Sequence, residues 1–273
     1  MSFGGITFVG ADESVDPTAL STITSFYFPV EWALCLCKER QGQAEGYPSL
    51  EWMEELPREA RLAGHLRGRL CEEFVQGEDR ELVEAYGPIW SRLDRIQLDL
   101  STLPTCWEAT RFAALVRKHA GKTFIVPLRE DNQRVAEALM KELGALGDGT
   151  RSGRSASPRV AVLFDLSALP AEWPQGRKAY VACGYAGGLT PENVREQVPR
   201  IHRRALRAQS WWMHLDRGLR GNPVSGSRPF GAGGKSPDAE PSGTARNART
   251  RFELNRCRQA LDEIGRYFLD YSI

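Results

Sequence analysis

The residues with the clearest chemical meaning fall in one stretch, Ala186 to Val198, which reads AGGLTPENVREQV. It follows the apolar run AYVACGY, Ala179 to Tyr185, which has the character of a buried strand. Gly187 and Gly188 permit a turn whose backbone can come close to a ligand. Thr190 suits a helix N-cap, Pro191 the first helical position, and Glu192 places negative charge in the first turn. A strand, a glycine turn and a helix whose free N–H groups face that turn can hold a phosphate.

Other reactive residue types do not fall into patterns of comparable meaning. The four histidines, His65, His119, His202 and His214, have no H-x-x-x-H or related metal spacing, so no metal is expected. A metal-dependent sugar-phosphate epimerase would need a set such as His65, His214, Asp12 and Asp165, and is the weaker alternative. The six cysteines, Cys35, Cys37, Cys71, Cys106, Cys183 and Cys257, are scattered. Cys35 and Cys37 are two apart, as on one face of a strand, and read as reduced core thiols. The sequence contains no P-loop, dinucleotide fingerprint or G-x-S-x-G elbow. GAGGK near residue 231 lacks the P-loop spacing. The basic run RIHRRALRAQ (200–209) has no interleaved aromatics and reads as a solvated helical face, not a nucleic-acid patch.

These residues must be positioned by a chain of 273 residues, long enough for one large domain. Its composition, 41% hydrophobic and 26% charged, is that of a soluble globular protein. A net charge of +1 provides no global attraction for nucleic acid or membrane. The opening MSFGGITFVGADESVD turns acidic early for a secretion signal, and no run reaches transmembrane length, so a cytoplasmic location is expected.

Strand-like runs alternate with helical stretches. Strands are expected at 6–10, 30–37, 61–66, 95–100, 123–128, 160–165, 179–185 and 209–215. Helices are expected from the Asp16–Pro17 cap, from Ser49, at 69–76 and 80–85, at 108–119, at 131–146 with Val135, Leu139 and Leu143 on one face, and at 252–268. Eight strands alternating with helices argue for a (β/α)8 TIM barrel of class α/β, a single domain over 1–273. An open doubly wound sheet is the alternative. Residues 221–250, rich in Gly, Pro, Ser and Ala, are expected to be a disordered insertion after the eighth strand.

Several segments resemble phosphoribosylanthranilate isomerase, a (β/α)8 barrel family of tryptophan biosynthesis. GYAGGLTPENV is similar to that family's seventh strand and loop. ITFVGAD (6–12), LCLCKER (34–40), RIQLDL (95–100), VLFDLS (162–167) and LDRG (215–218) fall in the family's order at its first, second, fourth, sixth and eighth strands. The family performs an Amadori rearrangement with an aspartate and a cysteine. The resemblance implies a sugar-phosphate isomerase acting without a cofactor, with a small phosphorylated molecule as partner. It places the aspartate at Asp165 and the phosphate at Gly187, Gly188 and Gly218. Arg40 falls where the family holds its substrate's aromatic acid, and Gln97 could donate to a substrate hydroxyl. Two positions depart. Val9 stands where the cysteine is expected, leaving Asp12 as a substitute base, and Asp216 replaces a serine near the phosphate, where Arg217 or Arg220 would have to compensate its charge. A barrel that binds a ligand or partner without catalysis is the second reading.

Overall fold

Parallel strands covered on both faces need apolar side chains on both, and these strands meet that requirement. In Val30–Leu36 (β2), Trp32, Leu34 and Leu36 point outward to the helices, while Ala33 and Cys35 point to the barrel axis. The computed structural model describes residues 2–27, 29–100, 109–129, 132–142, 159–176, 182–221 and 250–271. Features expected at Cys106, Leu143, the 147–158 loop, residues 179–181 and most of the 221–250 insertion lie outside the described residues, as do the side chains of Val135 and Leu139.

All eight expected strands form. Ser2–Val9 (β1), β2, Leu62–Leu66 (β3), Leu93–Leu98 (β4), Thr123–Leu128 (β5), Arg159–Asp165 (β6), Ala182–Ala186 (β7) and Ser210–Leu215 (β8) close in chain order into one parallel barrel. The seam is the β8–β1 ladder, where Thr7 pairs with His214. The helices are Pro17–Phe26 (α1), Leu50–Glu54 (α2), Gly68–Val75 (α3), Arg80–Trp90 (α4), Ala109–Lys118 (α5), Gln133–Glu142 (α6), Val194–Ala205 (α7) and Leu254–Tyr271 (α8). Asp16 caps α1 as expected, accepting from the Thr18 amide at 2.8 Å with Pro17 behind it.

One expectation needs correction. The helix after β7 starts at Val194 with Asn193 as its N-cap residue, not at Thr190. The Asn193 side chain bonds back to the Thr190 amide (2.9 Å) and the Gly188 carbonyl (2.8 Å), so Thr190–Asn193 closes into a turn before the helix begins. The expected insertion is flanked by a short ladder. Arg220–Gly221 (β9) pairs antiparallel with Arg251–Phe252 (β10), forming a neck. The Thr250 amide and hydroxyl bond to Glu45, the amide at 2.5 Å.

Two apolar clusters occupy much of the barrel axis. Val9, Ala33, Cys35, Cys37, Tyr47 and Ala63 fill the β1–β3 side, and Ile125, Ala161, Leu163, Ala186 and Trp212 the β5–β8 side. Between them runs a polar column. At its base Arg95 bonds Glu31 at 2.6 Å and Thr7 at 3.0 Å, and its guanidinium lies 4.2 Å from the Trp212 ring centroid. Trp212 fits because β7 presents glycine opposite it: a Cβ on Gly184 would sit 2.3 Å from the indole. Gly184→Ala is therefore expected to destabilise the fold by about 1–3 kcal/mol through overpacking. Urea unfolding checks this, and an unchanged midpoint would contradict the placement of Trp212.

Candidate active-site mouth

Barrel enzymes carry their chemistry where strands end, and three consecutive strand ends here share one guanidinium. Asp165 is the last residue of β6, Arg129 follows β5 and Asp99 follows β4. Arg129 donates from Nε to Asp165 Oδ2 at 2.8 Å and from Nη2 to Asp99 Oδ1 at 3.2 Å. Its backbone is fixed by Asn132, whose Oδ1 accepts from the Arg129 amide at 2.9 Å and whose Nδ2 donates to the Pro127 carbonyl at 3.1 Å. Burial works against the Arg129 charge, but the two carboxylates outweigh it and hold the group protonated. Asp165 is half-buried, and no described group bonds its Oδ1.

Beneath this cluster lie His65, Gln97 and His214, all nearly inaccessible to solvent. Gln97 Nε2 is 2.7 Å from His65 Nε2, and the two imidazoles meet edge to face with centroids 6.1 Å apart. Burial, reinforced by Arg67, His214 and Arg129, drives His65 well below the usual histidine range. Burial also lowers His214, against the opposing pull of Asp216 and Asp165. Both rings are therefore neutral near pH 7. Gln97 thus serves a buried imidazole.

The remaining expected residues divide among separate networks. Asp12 lies at the mouth end of β1 and takes hydrogen bonds from the Ser14 hydroxyl (2.6 Å), the Ser14 amide (3.1 Å) and the Gly46 amide (2.7 Å), and it ion-pairs with Arg220. Burial raises its pKa, yet the bonds from Ser14 and Gly46 and the Arg220 charge prevail and leave it lowered. Arg220 also bonds the Gly10 and Thr250 carbonyls, so it is committed to the neck and does not compensate Asp216. Among the described residues no common partner joins Asp12 to Asp165. Val9 is packed among Ala33, Cys35, Cys37 and Tyr47. Both nearby thiols stay protonated: burial lifts Cys35 to about 11, and burial with the Glu39 carboxylate, 3.1 Å from Cys37 Sγ, raises Cys37.

The glycine turn after β7 adjoins Asp165, which pairs with Ala186 across the β6–β7 ladder. Gly187 and Gly188 both have positive φ. A Cβ on Gly187 would meet Leu166 Cβ at 2.7 Å, and one on Gly188 the Leu169 amide nitrogen at 2.6 Å. Their outer side is thus filled by the loop after β6. The amides of Gly187, Gly188 and Leu189 donate to no described acceptor. Gly218, also at positive φ, packs on Thr190 and Pro191, and Arg256 of α8 clasps the Gly218 carbonyl and Glu192. Asp216 is exposed at the rim. Arg40 is exposed on the β2 loop, its guanidinium over the Tyr47 ring at 5.5 Å.

Sequence reasoning did not single out Asp99, Arg129 or Arg67. Each stands just past a strand's C-terminal end, the one signal that could have marked them. Among the described residues no group of three or more His, Cys, Asp or Glu is arranged to hold a metal ion. Of His65, His214, Asp12 and Asp165, the two imidazoles meet in the buried column, while Asp12 is held by Arg220 and Asp165 by Arg129. No described helix is long and apolar enough to cross a membrane.

The fold and the mouth define a (β/α)8 barrel with ionisable groups at the C-terminal ends of its strands. Among solved structures, the chain is similar to the crystal structure of phosphoribosyl anthranilate isomerase from Thermotoga maritima, at 14% identity and a TM-score of 0.47, over 97% of this chain and 99% of that one. No family model matches the sequence, and no curated protein matches it. A likeness of that size does not speak to activity; the barrel is established by its own closed ladder.

The Asp12 clamp has a pH signature. A carboxylate with a lowered folded-state pKa adds stability above its ordinary value of 3.8, and that stability is lost as pH falls through the folded value. Asp12→Asn should therefore cost about 1.5–3 kcal/mol near neutrality, and the deficit should shrink as pH falls below the ordinary carboxylate range. Urea titrations at several pH values read this. A deficit that does not change with pH would mean that the Asp12 charge is not what holds the loops.

Proposed function

We propose that this barrel is an isomerase of small phosphorylated sugars, carrying out an Amadori-type aldose–ketose rearrangement like that of the family its sequence resembles. Asp165 is the proton-transfer residue: it gives its proton to the ribose ring oxygen, and the carboxylate so formed takes the proton from C2 and returns it to C1. The reaction needs a proton delivered to the ribose ring oxygen and one removed from C2. The observation that carries this reading is the state of Asp165. One of its oxygens is fixed by Arg129 while no described group bonds the other, and it adjoins a glycine turn whose amides donate to no described acceptor. Those amides at Gly187 and Gly188, with Gly218 nearby, suit the phosphate end of such a substrate. Asp12 is assigned to the loop clamp, because acting as a base would require it to leave Arg220 and Gly46. The reaction uses no cofactor, and the enzyme works in the cytoplasm.

The second reading, a barrel that binds a phosphorylated ligand without turning it over, is favoured by one specific observation. The thiol expected at Val9 is missing, and the two neighbouring thiols are held protonated.

The test is conversion of phosphoribosylanthranilate by the purified full chain, followed by NMR, alongside ligand affinity. The isomerase reading predicts conversion that falls roughly 10²–10⁴-fold in Asp165→Asn. Binding without conversion selects the second reading. Conversion indifferent to Asp165→Asn would remove Asp165 from the chemistry.

A further inference from the structure

The rearrangement assigned to Asp165 leaves one proton without an acceptor. Asp165 begins as the acid and, once C1 has received its proton, ends as the carboxylate. The substrate has then gained one proton, and the one in excess is on the 2-hydroxyl, which must lose it as the C2 carbonyl forms. Turnover therefore needs a second group, neutral at rest, that takes this proton and restores Asp165. Most groups of the mouth are engaged. Asp12 is held by Arg220, the Cys35 and Cys37 thiols keep their protons, and Arg129 bonds both Asp99 and Asp165. His65 Nε2 lies 2.7 Å from the Gln97 amide nitrogen, which donates, so this neutral ring has its proton on Nδ1 and its lone pair in use.

His214 is placed differently. Asp165 lies opposite Ala186 across the β6–β7 ladder, and Tyr185 lies opposite Met213 across β7–β8, so the next residues, Ala186 and His214, stand at one level. Asp165, Ala186 and His214 alternate in phase with the axial Leu163 and Trp212 and share the inner face of the barrel. Two strand spacings of about 4.8 Å separate the Asp165 and His214 backbones, with only the Ala186 methyl between them. On its other side His214 pairs with Thr7 of β1, two residues short of Val9. No described group bonds either ring nitrogen, and of the two only Nδ1 is fully buried. Burial lowers the proton affinity of the ring, and Asp216 and Asp165 pull it back up. The ring is thus neutral at rest and becomes the better base when Asp165 has given up its proton.

We propose that His214 is a second catalytic residue of this mouth, accepting the substrate's 2-hydroxyl proton at Nε2 as the C2 carbonyl forms. This role rests on the isomerase reading and adds to it the acceptor that Asp165 alone does not provide. In the step, the 2-hydroxyl O–H bond breaks and its electron pair becomes the second C2–O bond. The C1=C2 pair takes the Asp165 proton at C1, and the hydroxyl proton binds His214. The imidazolium then returns its proton to the Asp165 carboxylate, whose charge draws it, and both groups regain their starting states.

The experiment compares the purified full chain with His214→Gln on phosphoribosylanthranilate, followed by NMR, with kcat and KM read separately. Glutamine keeps a polar group of similar reach but takes up no proton. A proton-accepting His214 predicts that kcat falls at least about 10²-fold while KM changes by less than about threefold. In the unsubstituted chain, the ¹⁵N shifts of the His214 ring should show Nε2 as the nitrogen without a proton. Where His214→Gln does not fold, this tautomer decides. The proposal is overturned if His214→Gln turns over like the parent, if kcat and affinity are lost together, or if Nε2 carries the ring proton. A parent that binds without converting removes the isomerase reading and this role with it, whereas conversion indifferent to His214→Gln removes this role alone.

Discussion

Everything at the mouth rests on one constraint: a closed eight-stranded barrel has no solvent on its axis, so charges placed there must be matched inside it. This chain matches them in tiers. Glu31 and Thr7 answer Arg95 at the base. Two neutral imidazoles and Gln97 occupy the middle. Arg129, shared between Asp99 and Asp165, closes the top. Because each tier is bonded within itself, the two apolar clusters on either side can pack without meeting an unpaired charge. The buried polar atoms left without a partner along the axis are His65 Nδ1 at β3, Arg67 Nε just past it, and Trp212 Nε1 and His214 Nδ1 on β8.

The loops above the barrel follow from the same economy of space. The turn after β7 packs backbone against the loop after β6, and the turn after β8 packs on Thr190 and Pro191. Glycine at positions 187, 188 and 218 is thus required by close packing as well as by positive φ. A phosphate-like motif can therefore owe its glycines to a neighbouring loop, and only the direction of the amides distinguishes the two causes. On the far side of the mouth, Asp12 and Arg220 tie the β1 loop, the β2 loop and the neck into one unit.

Much of the fold was legible in the sequence. Strands buried on both faces leave continuous apolar runs, and residues such as Phe124, Val126, Val162 and Phe164 mark them plainly. The cap at Asp16 was legible because its bond is local, two residues along. The start of α7 was not, because Thr190, Asn193 and Ser49-like caps look alike in sequence, and here the Asn193 amide closes a turn first. The site was legible only where one residue could be judged alone. Asp165 at a strand's mouth end is such a residue. The role of Arg129 depends on β4, β5 and β6 lying side by side, and the Arg220–Asp12 pair joins residues 208 apart. Pattern along the chain does not carry that information; closure of the barrel supplies it.

The central claim is that the barrel axis holds two neutral imidazoles beneath a shared Arg–carboxylate cluster. The most direct measurement is the ¹⁵N chemical shift of the His65 and His214 rings across roughly pH 5–8, the range in which an ordinary histidine titrates. The account predicts that His65 stays neutral throughout, with its proton on Nδ1, and that His214 titrates, if at all, below the usual range. A His65 ring that charges with an ordinary midpoint would contradict the buried column, and with it the organisation of the mouth above.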